Sequence, residues 1–373
     1  MEQKSQRRVA AVGSAQTSLA GAHTEQQHID LIDEVVVAAL KGTGLRIEDV
    51  DFVIDSGSDF LDGRSISNCG FLGAMGANHK EESRVEEDGL WALTYAVNKI
   101  TAGPKSVALV IAYSKPSESN IDNFWNGMLE PFLQRPVGLS HQTATALSAQ
   151  RYLQAAGLEA EDLRVVSDFA WERAEANSNV QTASAKPGSD PVATPLVSSD
   201  YSRPADGAVA IVLAVDSIAE KISPNPVWVT GHGAAMDNYY FTAREGDAMP
   251  AAAHALKGAL RMSGKEAASD FDLVEVSATS TVGELMVVEA LGLAEPHRGI
   301  ELYRAGDSRV NPSGGALPAD PVMATGLVRF HEALIRLAGR DGHEAGEAKS
   351  ALVHGTGGFA MQNHCVVALE VAE

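Results

Sequence analysis

Hydrophobic residues follow two spacings along this chain, one typical of buried strands and one typical of amphipathic helices. Short apolar runs at residues 8–13, 50–54, 106–112 and 206–214 predict buried strands. Between the first three of these segments, apolar positions recur every three or four residues over 28–40 and 90–100, and each pattern ends near glycine. These two segments are predicted to be helices. The strand–helix order predicts an α/β fold with a mainly parallel sheet and helices on its faces.

The same order of elements starts again at residue 227. An apolar run at 227–231 ends on glycine as the first strand does, a helical pattern follows at 251–262, and strand patterns recur at 270–276, 351–354 and 365–371. Asn311-Pro-Ser-Gly-Gly315 is expected to open a helix over 324–338, as Asp88-Gly89 opens the one at 90–100. The chain is therefore predicted to contain two duplicated halves, at 1–218 and 224–373. An inserted, partly helical loop domain is expected at about 115–200, where the rhythm breaks.

Length and charge exclude several classes of function. A chain of 373 residues suits two or three packed units. A net charge of −20 argues against nucleic-acid binding, which needs clustered Lys and Arg. We expect no membrane span, since there is no apolar run of about eighteen residues. The two cysteines, Cys69 and Cys365, provide neither a disulfide framework nor a metal site. A cytoplasmic protein with no permanently bound cofactor or metal is expected.

The acidic turn Glu86-Glu87-Asp88-Gly89 is the candidate chemical feature. Glycine permits a tight turn, and a helix N-terminus favours negative charge. In many acyl-transfer enzymes a nucleophile occupies such a helix end, because the exposed N–H groups lower its pKa. Here neither Cys nor Ser stands at the turn, so the carboxyl groups are candidates for acid–base chemistry instead.

Several motifs resemble those of the thiolase superfamily, and most closely its sterol-carrier-protein-type thiolases and related subunits of acyl-CoA-degrading complexes. The motifs are Asn311-Pro-Ser-Gly-Gly315, Asp206-Gly-Ala-Val-Ala210, Glu284-Leu-Met-Val-Val-Glu-Ala-Leu-Gly292 and Gly355-Thr-Gly-Gly358, set in duplicated halves. The resemblance spans nearly the whole chain. It implies a five-layered α-β-α-β-α fold, a dimer formed through the N-terminal half, and a coenzyme A thioester as substrate or ligand.

The positions that match the family's catalytic motifs carry other residues. Glu86 stands where a thiolase has its nucleophilic cysteine, Ala319-Asp320-Pro321 replaces Gly-His-Pro, and Ser277-Ala-Thr-Ser280 replaces a His or Asn motif. His354 matches the last cysteine. The resemblance thus implies Glu86, Asp88 and His354 as catalytic candidates. It implies as substrate-binding candidates Ser277, Thr279, Asn311, Gly314, Gly315, Asp320, Gly357 and Gly358.

Three functions remain open. The first is a thiolase-like subunit that supports a cysteine-bearing homologous partner in thiolytic acyl transfer on acyl-CoA, and the replacement of all four family positions favours it slightly. The second is an active, cysteine-independent acyl-CoA C–C lyase of retro-aldol type that uses Glu86 or Asp88 with His354. The third is an acyltransferase that uses Cys69. A small OB-fold, zinc-ribbon protein that helps bind coenzyme A is a further expected partner, because the acidic chain is unfavourable for an anionic ligand.

Overall fold

The computed structural model describes residues 7–181, 186–340 and 348–371. The ends of the two predicted halves, at 1–6 and 372–373, lie outside these ranges, as do residues 182–185 of the predicted loop domain and 341–347. The described strands are β1 Val9–Gln16, β2 Phe52–Ser56, β3 Glu81–Val85, β4 Val107–Ser114, β5 Pro191–Ala193, β6 Leu196–Val197, β7 Gly207–Val215, β8 Val227–Met236, β9 Leu273–Glu275, β10 Ser350–Gly357 and β11 Asn363–Val371. The described α-helices are α1 His28–Leu40, α2 Gly89–Ala102, α3 Ile121–Gly127, α4 His141–Ala156, α5 Arg164–Glu175, α6 Asp216–Ile222, α7 Pro250–Ser263, α8 Thr281–Ala290, α9 Ile300–Ala305 and α10 Thr325–Ala338.

The predicted duplication is confirmed by strand order and direction. The N-terminal half contributes β3-β2-β4-β7-β1, and the C-terminal half contributes β9-β10-β11-β8 in the matching order. The β2–β4 and β9–β10 pairs are parallel and the pairs that follow them are antiparallel, and the N-terminal half has β3 as an additional parallel strand beside β2. The halves join through a short antiparallel contact between β1 and β8. The prediction of a mainly parallel sheet was wrong, because β7 and β11 run antiparallel to both of their neighbours.

The elements stack in five layers, α-β-α-β-α, as the resemblance implied. Helix α1 packs on the outer face of the N-terminal sheet, and α7 packs on the outer face of the C-terminal sheet. Helices α2 and α10 lie together in the middle layer, where one apolar cluster combines residues of both halves. Buried apolar area of this kind is the main stabilising contribution to such a fold.

Glycines in equivalent strands of the two halves let the outer helices approach closely. A Cβ atom on Gly13 would lie 2.2 Å from the carbonyl oxygen of Ala39 in α1, and one on Gly231 would lie 2.2 Å from that of Ala259 in α7. Any other residue would push helix and strand apart. The glycine that ends each predicted first strand is therefore a packing requirement repeated in both halves.

The connection between β4 and β7 contains α3, α4, α5 and the β5–β6 hairpin. Its helices α4 and α5 pack against α8 and α9 of the C-terminal half, and share an apolar cluster with them. This connection therefore crosses from one half to the other. None of the described helices is long and apolar enough to cross a membrane.

Candidate active site

Asp88 joins the N-termini of the two central helices. It is the N-cap residue of α2, and its side chain is almost fully buried. Its Oδ1 accepts a hydrogen bond from the N–H of Leu90 at 2.9 Å, and its Oδ2 accepts one from the N–H of Gly326 in α10 at 2.7 Å. Burial raises the pKa of Asp88 to about 8, although the two N–H donors favour the carboxylate. One carboxyl group thus caps both helices.

Glycine is required where these helix ends cross. A Cβ atom on Gly89 would lie 2.6 Å from the Cβ atom of Ala112, and one on Gly326 would lie 2.2 Å from Oδ1 of Asp88. The sharp turn predicted before α2 is confirmed. In α10 the corresponding close approach is at Gly326, the second residue of the helix, whereas the expected counterpart at 311–315 lies upstream of the helix.

Glu87 extends from the acidic turn to the end of strand β10. Its Oε2 accepts a hydrogen bond from Nδ2 of Asn363 at 2.7 Å. Its other carboxyl oxygen packs so closely on Gly357 that a Cβ atom there would lie 1.8 Å from it. Burial raises the pKa of Glu87, against the effect of Asn363. A carboxyl group of this kind is suited to general acid–base chemistry.

Glu86 lies at the surface, with half of its side chain exposed. Its Oε1 accepts a hydrogen bond from the N–H of Asp59 at 2.6 Å, and its Oε2 is 3.7 Å from the guanidinium of Arg84. The same guanidinium contacts Asp55 at 3.0 Å and Asp62 at 3.5 Å. Partial burial raises the pKa of Glu86, while Arg84 opposes this rise. Of the three neighbouring acids, Glu86 is therefore the one tied to the ion-pair cluster around Arg84.

An open cavity of about 620 Å³ lies against the acidic turn. All three acids line it, together with Gly357 and Gly358. Arg135 is the one cation among the described residues in its wall. Much of the remaining wall is apolar or aromatic, and it includes Phe60, Phe124, Trp125, Met128, Tyr239 and Phe359. A cavity with an apolar wall and a few convergent polar groups is typical of a small-molecule site.

A small gap of about 10 Å³ adjoins this cavity and shares Trp125 with its lining. Ser277, Thr279 and Asp320 line it, as do the two glycines at the end of β10. The hydroxyl of Ser277 is fully buried and has no hydrogen-bond partner within the described part of the chain. The gap has about the volume that one water molecule needs.

Asp320 is held by donors from two segments. Its Oδ2 accepts a hydrogen bond from Oγ of Ser202 at 2.7 Å, and its Oδ1 accepts one from the N–H of Val322 at 3.0 Å. The hydroxyl of Thr325 also donates to Oδ1. Burial raises the pKa of Asp320 despite these donors. Five of the predicted substrate-binding residues therefore meet beside the cavity, namely Ser277, Thr279, Asp320, Gly357 and Gly358.

The other three predicted substrate-binding residues are not among those that line the cavity. Asn311 accepts a hydrogen bond from the N–H of Val276 at 2.7 Å and donates one to Glu284 at 2.9 Å. Gly314 and Gly315 have φ angles of +100° and +68° and complete the turn. These contacts tie the turn at 311–315 to β9 and α8, which is a structural arrangement within the C-terminal half.

His354 is fully buried inside strand β10. Its Nε2 is 2.9 Å from Nδ1 of His364, and burial lowers the pKa of His354 well below its usual range. The ring is therefore neutral at physiological pH. His354 is also absent from the described lining of the cavity, so the structure does not bring it together with Glu86 and Asp88.

Neither cysteine lines the cavity. Cys69 is exposed in the loop after β2, whereas Cys365 is fully buried in β11 with its Sγ 4.0 Å from the carbonyl oxygen of Leu90. Burial raises the pKa of the Cys365 thiol well above its usual value. Within residues 7–181, 186–340 and 348–371, no group of three or more His, Cys, Asp or Glu is arranged to hold a metal ion.

The sequence did not indicate Asn363 or Trp125, and it included Glu87 only as one carboxyl group of the acidic turn. The sequence did not distinguish Glu87 from its acidic neighbours, because position along the turn does not show which side chain extends to the end of β10. Trp125 lay in the segment without a clear pattern. An indication for Asn363 was available, since it lies only five residues after Gly358 and thus in the strand that returns beside it.

Comparison with known proteins finds thiolases. Residues 233–370 match the family described as thiolase C-terminal domain-like. An acetyl-CoA acetyltransferase of Methanothermobacter thermautotrophicus is 26% identical over 95% of this chain and 98% of its own length. The benzoylsuccinyl-CoA thiolase subunit BbsB of Thauera aromatica is 27% identical over 57% of this chain and 59% of its own length. Sterol carrier protein 2 of Gallus gallus is 31% identical over 41% of this chain and 30% of its own length.

Solved structures share the fold. A structure described as the Ltp2-ChsH2(DUF35) aldolase superposes with a TM-score of 0.79 and 20% identity, covering 97% of each chain. Together with the duplicated architecture, these similarities support a protein of the thiolase superfamily, and the chain has a thiolase-like α/β fold. Its central helix α2 begins at an acidic turn rather than at a cysteine.

Proposed function

We propose that this chain is a cysteine-independent lyase that cleaves a C–C bond of a β-hydroxyacyl-CoA thioester by a retro-aldol reaction. The placement of Glu87 carries the proposal. Its carboxyl group is partly buried, has a raised pKa and lines the cavity against Gly357. A carboxylate is a poor acyl carrier, since a mixed anhydride hydrolyses easily, but it is an effective base when burial raises its pKa.

In the proposed reaction, the carboxylate of Glu87 removes the proton from the β-hydroxyl group of the substrate. The bond between Cα and Cβ then breaks, Cβ becomes the carbonyl carbon of a released ketone or aldehyde, and the electron pair forms the enolate of the shorter thioester. Backbone N–H groups near Gly357 and Gly358 stabilise the enolate oxygen, a contribution of typically ~3–4 kcal/mol per donor. The proton returns to Cα, so the shorter CoA thioester leaves and no other reactant is consumed.

A second part of the proposal is a basic accessory partner that helps bind the coenzyme A moiety of the substrate. The chain carries a net charge of −20, and Arg135 is the one cation among the described cavity residues. The phosphates of coenzyme A therefore need cations from another protein. A small OB-fold, zinc-ribbon protein is proposed for this role, and the similar structure that contains ChsH2(DUF35) beside Ltp2 supports the idea. Equal affinity for a CoA thioester with and without such a protein would count against it.

Turnover by the purified chain tests the lyase directly. β-Hydroxyacyl-CoA substrates are incubated with the wild-type chain, and the shorter CoA thioester and the carbonyl product are quantified together. Replacing Glu87→Gln removes the base and is expected to lower kcat by about 10²–10⁴-fold. Glu86→Gln changes a neighbouring acid of the same turn whose side chain is tied to Arg84, and is expected to retain most activity. Equal activity of wild type and Glu87→Gln would refute the assigned base.

A supporting role beside a cysteine-bearing homologue is the second candidate. Asp88 favours it, because both of its carboxyl oxygens are occupied by backbone N–H groups, as in a purely structural helix cap. The similarity to BbsB, which is described as a thiolase subunit, supports the same reading. The chain would then complete the partner's dimer without chemistry of its own.

The mass of the native assembly separates the two candidates. The protein is purified from its own cell and the intact complex is weighed. A second thiolase-like chain with a cysteine at its helix turn, together with no turnover by this chain alone, supports the supporting role. A homodimer, alone or with a small accessory protein, supports the lyase.

A further inference from the structure

Arg244 belongs to the loop after β8 and contacts the turn after β10, and both segments contribute to the cavity wall. Its Nε donates to the carbonyl oxygen of Asn238 at 2.6 Å, and its Nη1 donates to those of Phe359 at 2.8 Å and Ala360 at 3.3 Å. Its Nη2 reaches the carbonyl oxygen of Tyr239 at 3.4 Å. Tyr239 and Phe359 themselves line the cavity. One guanidinium therefore ties the loop after β8 to the turn after β10.

The surroundings of this guanidinium are unusual for an arginine. It is partly buried, and no carboxylate of the described residues lies within ion-pair distance of it. Burial lowers its pKa to about 10, and Asp237 opposes this effect only from a distance. The group stays charged at neutral pH, and its donors are directed at backbone carbonyl groups. Those contacts satisfy the arginine while they fix the path of both loops.

The turn that Arg244 holds is strained. Ala360 and Met361, two consecutive residues with side chains, have φ angles of +49° and +56°, and Gly358, two residues before Ala360, has a φ angle of +69°. Left-handed conformations are unfavourable for residues with a Cβ atom, and they persist only where the surrounding structure imposes them. Such strain is often found at ligand-binding and catalytic sites.

Two pairs of hydrogen bonds help impose this conformation, beside the packing of the buried side chains of Phe359 and Met361. The N–H of Asp237 donates to the carbonyl oxygen of Gln362 at 2.9 Å, and the side chain of Gln362 donates back to the carbonyl oxygen of Asp237 at 3.1 Å. Arg244 adds the two bonds to the carbonyl oxygens of Phe359 and Ala360, inside the strained segment. These contacts join the same two loops from both sides of the turn.

We propose that Arg244 is a positioning residue, which holds the turn at 357–361 in the left-handed conformation that directs Gly357 and Gly358 at the bound thioester. The kinetic part of this inference rests on the proposed lyase function, whereas its structural part does not. A lysine cannot replace the arginine, because an ammonium group lacks the planar fork that reaches several carbonyl oxygens at once.

The kinetic test compares Arg244→Lys and Arg244→Ala with the wild type. Misplacement of a reacting group by about 1 Å costs about 10²-fold in rate, so kcat is expected to fall by about that factor while KM changes little. Free guanidinium at low concentration is expected to restore part of the activity of Arg244→Ala, and ammonium is not. Arg298→Ala, at an exposed arginine paired with Glu301, serves as the control with unchanged kinetics. Wild-type kcat in Arg244→Lys would overturn the inference.

Hydrogen exchange provides a second readout that needs no turnover. Backbone amides of the segment 357–362 are expected to exchange faster in Arg244→Ala than in the wild type, with no change in distant segments such as α1. If the wild-type chain shows no lyase activity, the proposed function fails, and faster exchange still supports the role of Arg244. Unchanged exchange in this segment would overturn the inference whatever the activity.

Discussion

At the scale of single residues, Asp88 makes stability depend on pH. Its pKa is about 8 in the folded chain and near 3.8 when the chain is unfolded. Between these values the folded state binds the extra proton, so the free energy of unfolding contributed by Asp88 falls as pH rises through this window. Asp88→Asn cannot ionise. The free energy of unfolding of the Asp88→Asn variant, compared with that of the wild type, is therefore expected to increase as pH rises from about 4 to about 8.

Denaturant unfolding of both proteins at several pH values measures this difference. The asparagine also loses one acceptor for the N–H groups of Leu90 and Gly326, which adds an offset that does not vary with pH. A difference that stays constant across the window would show that Asp88 has an ordinary pKa.

The acidic turn shows what a sequence reveals about single residues. Three adjacent acids followed by Gly89 were enough to predict a helix N-terminus with a carboxyl group at it. Which acid reaches the end of β10 depends partly on partners distant in the chain, such as Asp59 and Asn363. Arg84 and Asp59 hold Glu86 at the surface, whereas Asn363 receives Glu87. The sequence of the turn alone does not predict the contacts with Asp59 and Asn363.

At the scale of elements, the crossing of α2 and α10 depends on glycine. Alanine is normally about 1 kcal/mol better than glycine inside a helix. At Gly326, however, the added methyl group would lie 2.2 Å from Asp88 and force the two helix ends apart. We expect Gly326→Ala to lower the free energy of unfolding by about 1–3 kcal/mol.

A matched substitution separates crowding from the general effect of alanine. A Cβ atom on Gly73 would meet nothing within 4 Å, so Gly73→Ala should change stability by less than about 0.5 kcal/mol. Denaturant midpoints of both variants provide the comparison. A Gly326→Ala protein as stable as Gly73→Ala would show that the helix ends are free to separate.

Most helices and strands could be predicted, because a buried face imposes its period on the sequence. The helix at 28–40 and the one after Asp88 appear where the apolar spacing placed them. The turn at 311–315 was taken for a helix start because it resembles one locally. Its actual role is set by Glu284 and Val276, which contact Asn311 and come from elsewhere in the half.

At the scale of the whole molecule, the two halves share one inner core. The middle apolar cluster contains Leu90 and Val110 from the N-terminal half and Leu327 and Val353 from the C-terminal half. Neither half can bury this surface alone. We expect residues 224–373, expressed by themselves, to bind a hydrophobic dye and unfold without a sharp transition. A cooperative transition in the isolated half would contradict a shared core.

The duplication could be predicted from order alone, since matching elements recur in both halves. The direction of β7 could not, because the long connection from β4 lets the chain return either way. The cavity also escaped prediction, since its wall combines the acidic turn, α3, the loop after β8 and the end of β10.

The most direct test of the central claim is turnover by a chain without cysteine. Cys69→Ser and Cys365→Ala are combined, and cleavage of β-hydroxyacyl-CoA is measured alongside the wild type, with thermal unfolding as a check that the variant is folded. The account predicts nearly unchanged kcat, because neither thiol lines the cavity. A folded variant that has lost turnover would show that a cysteine performs the chemistry, and would contradict the account.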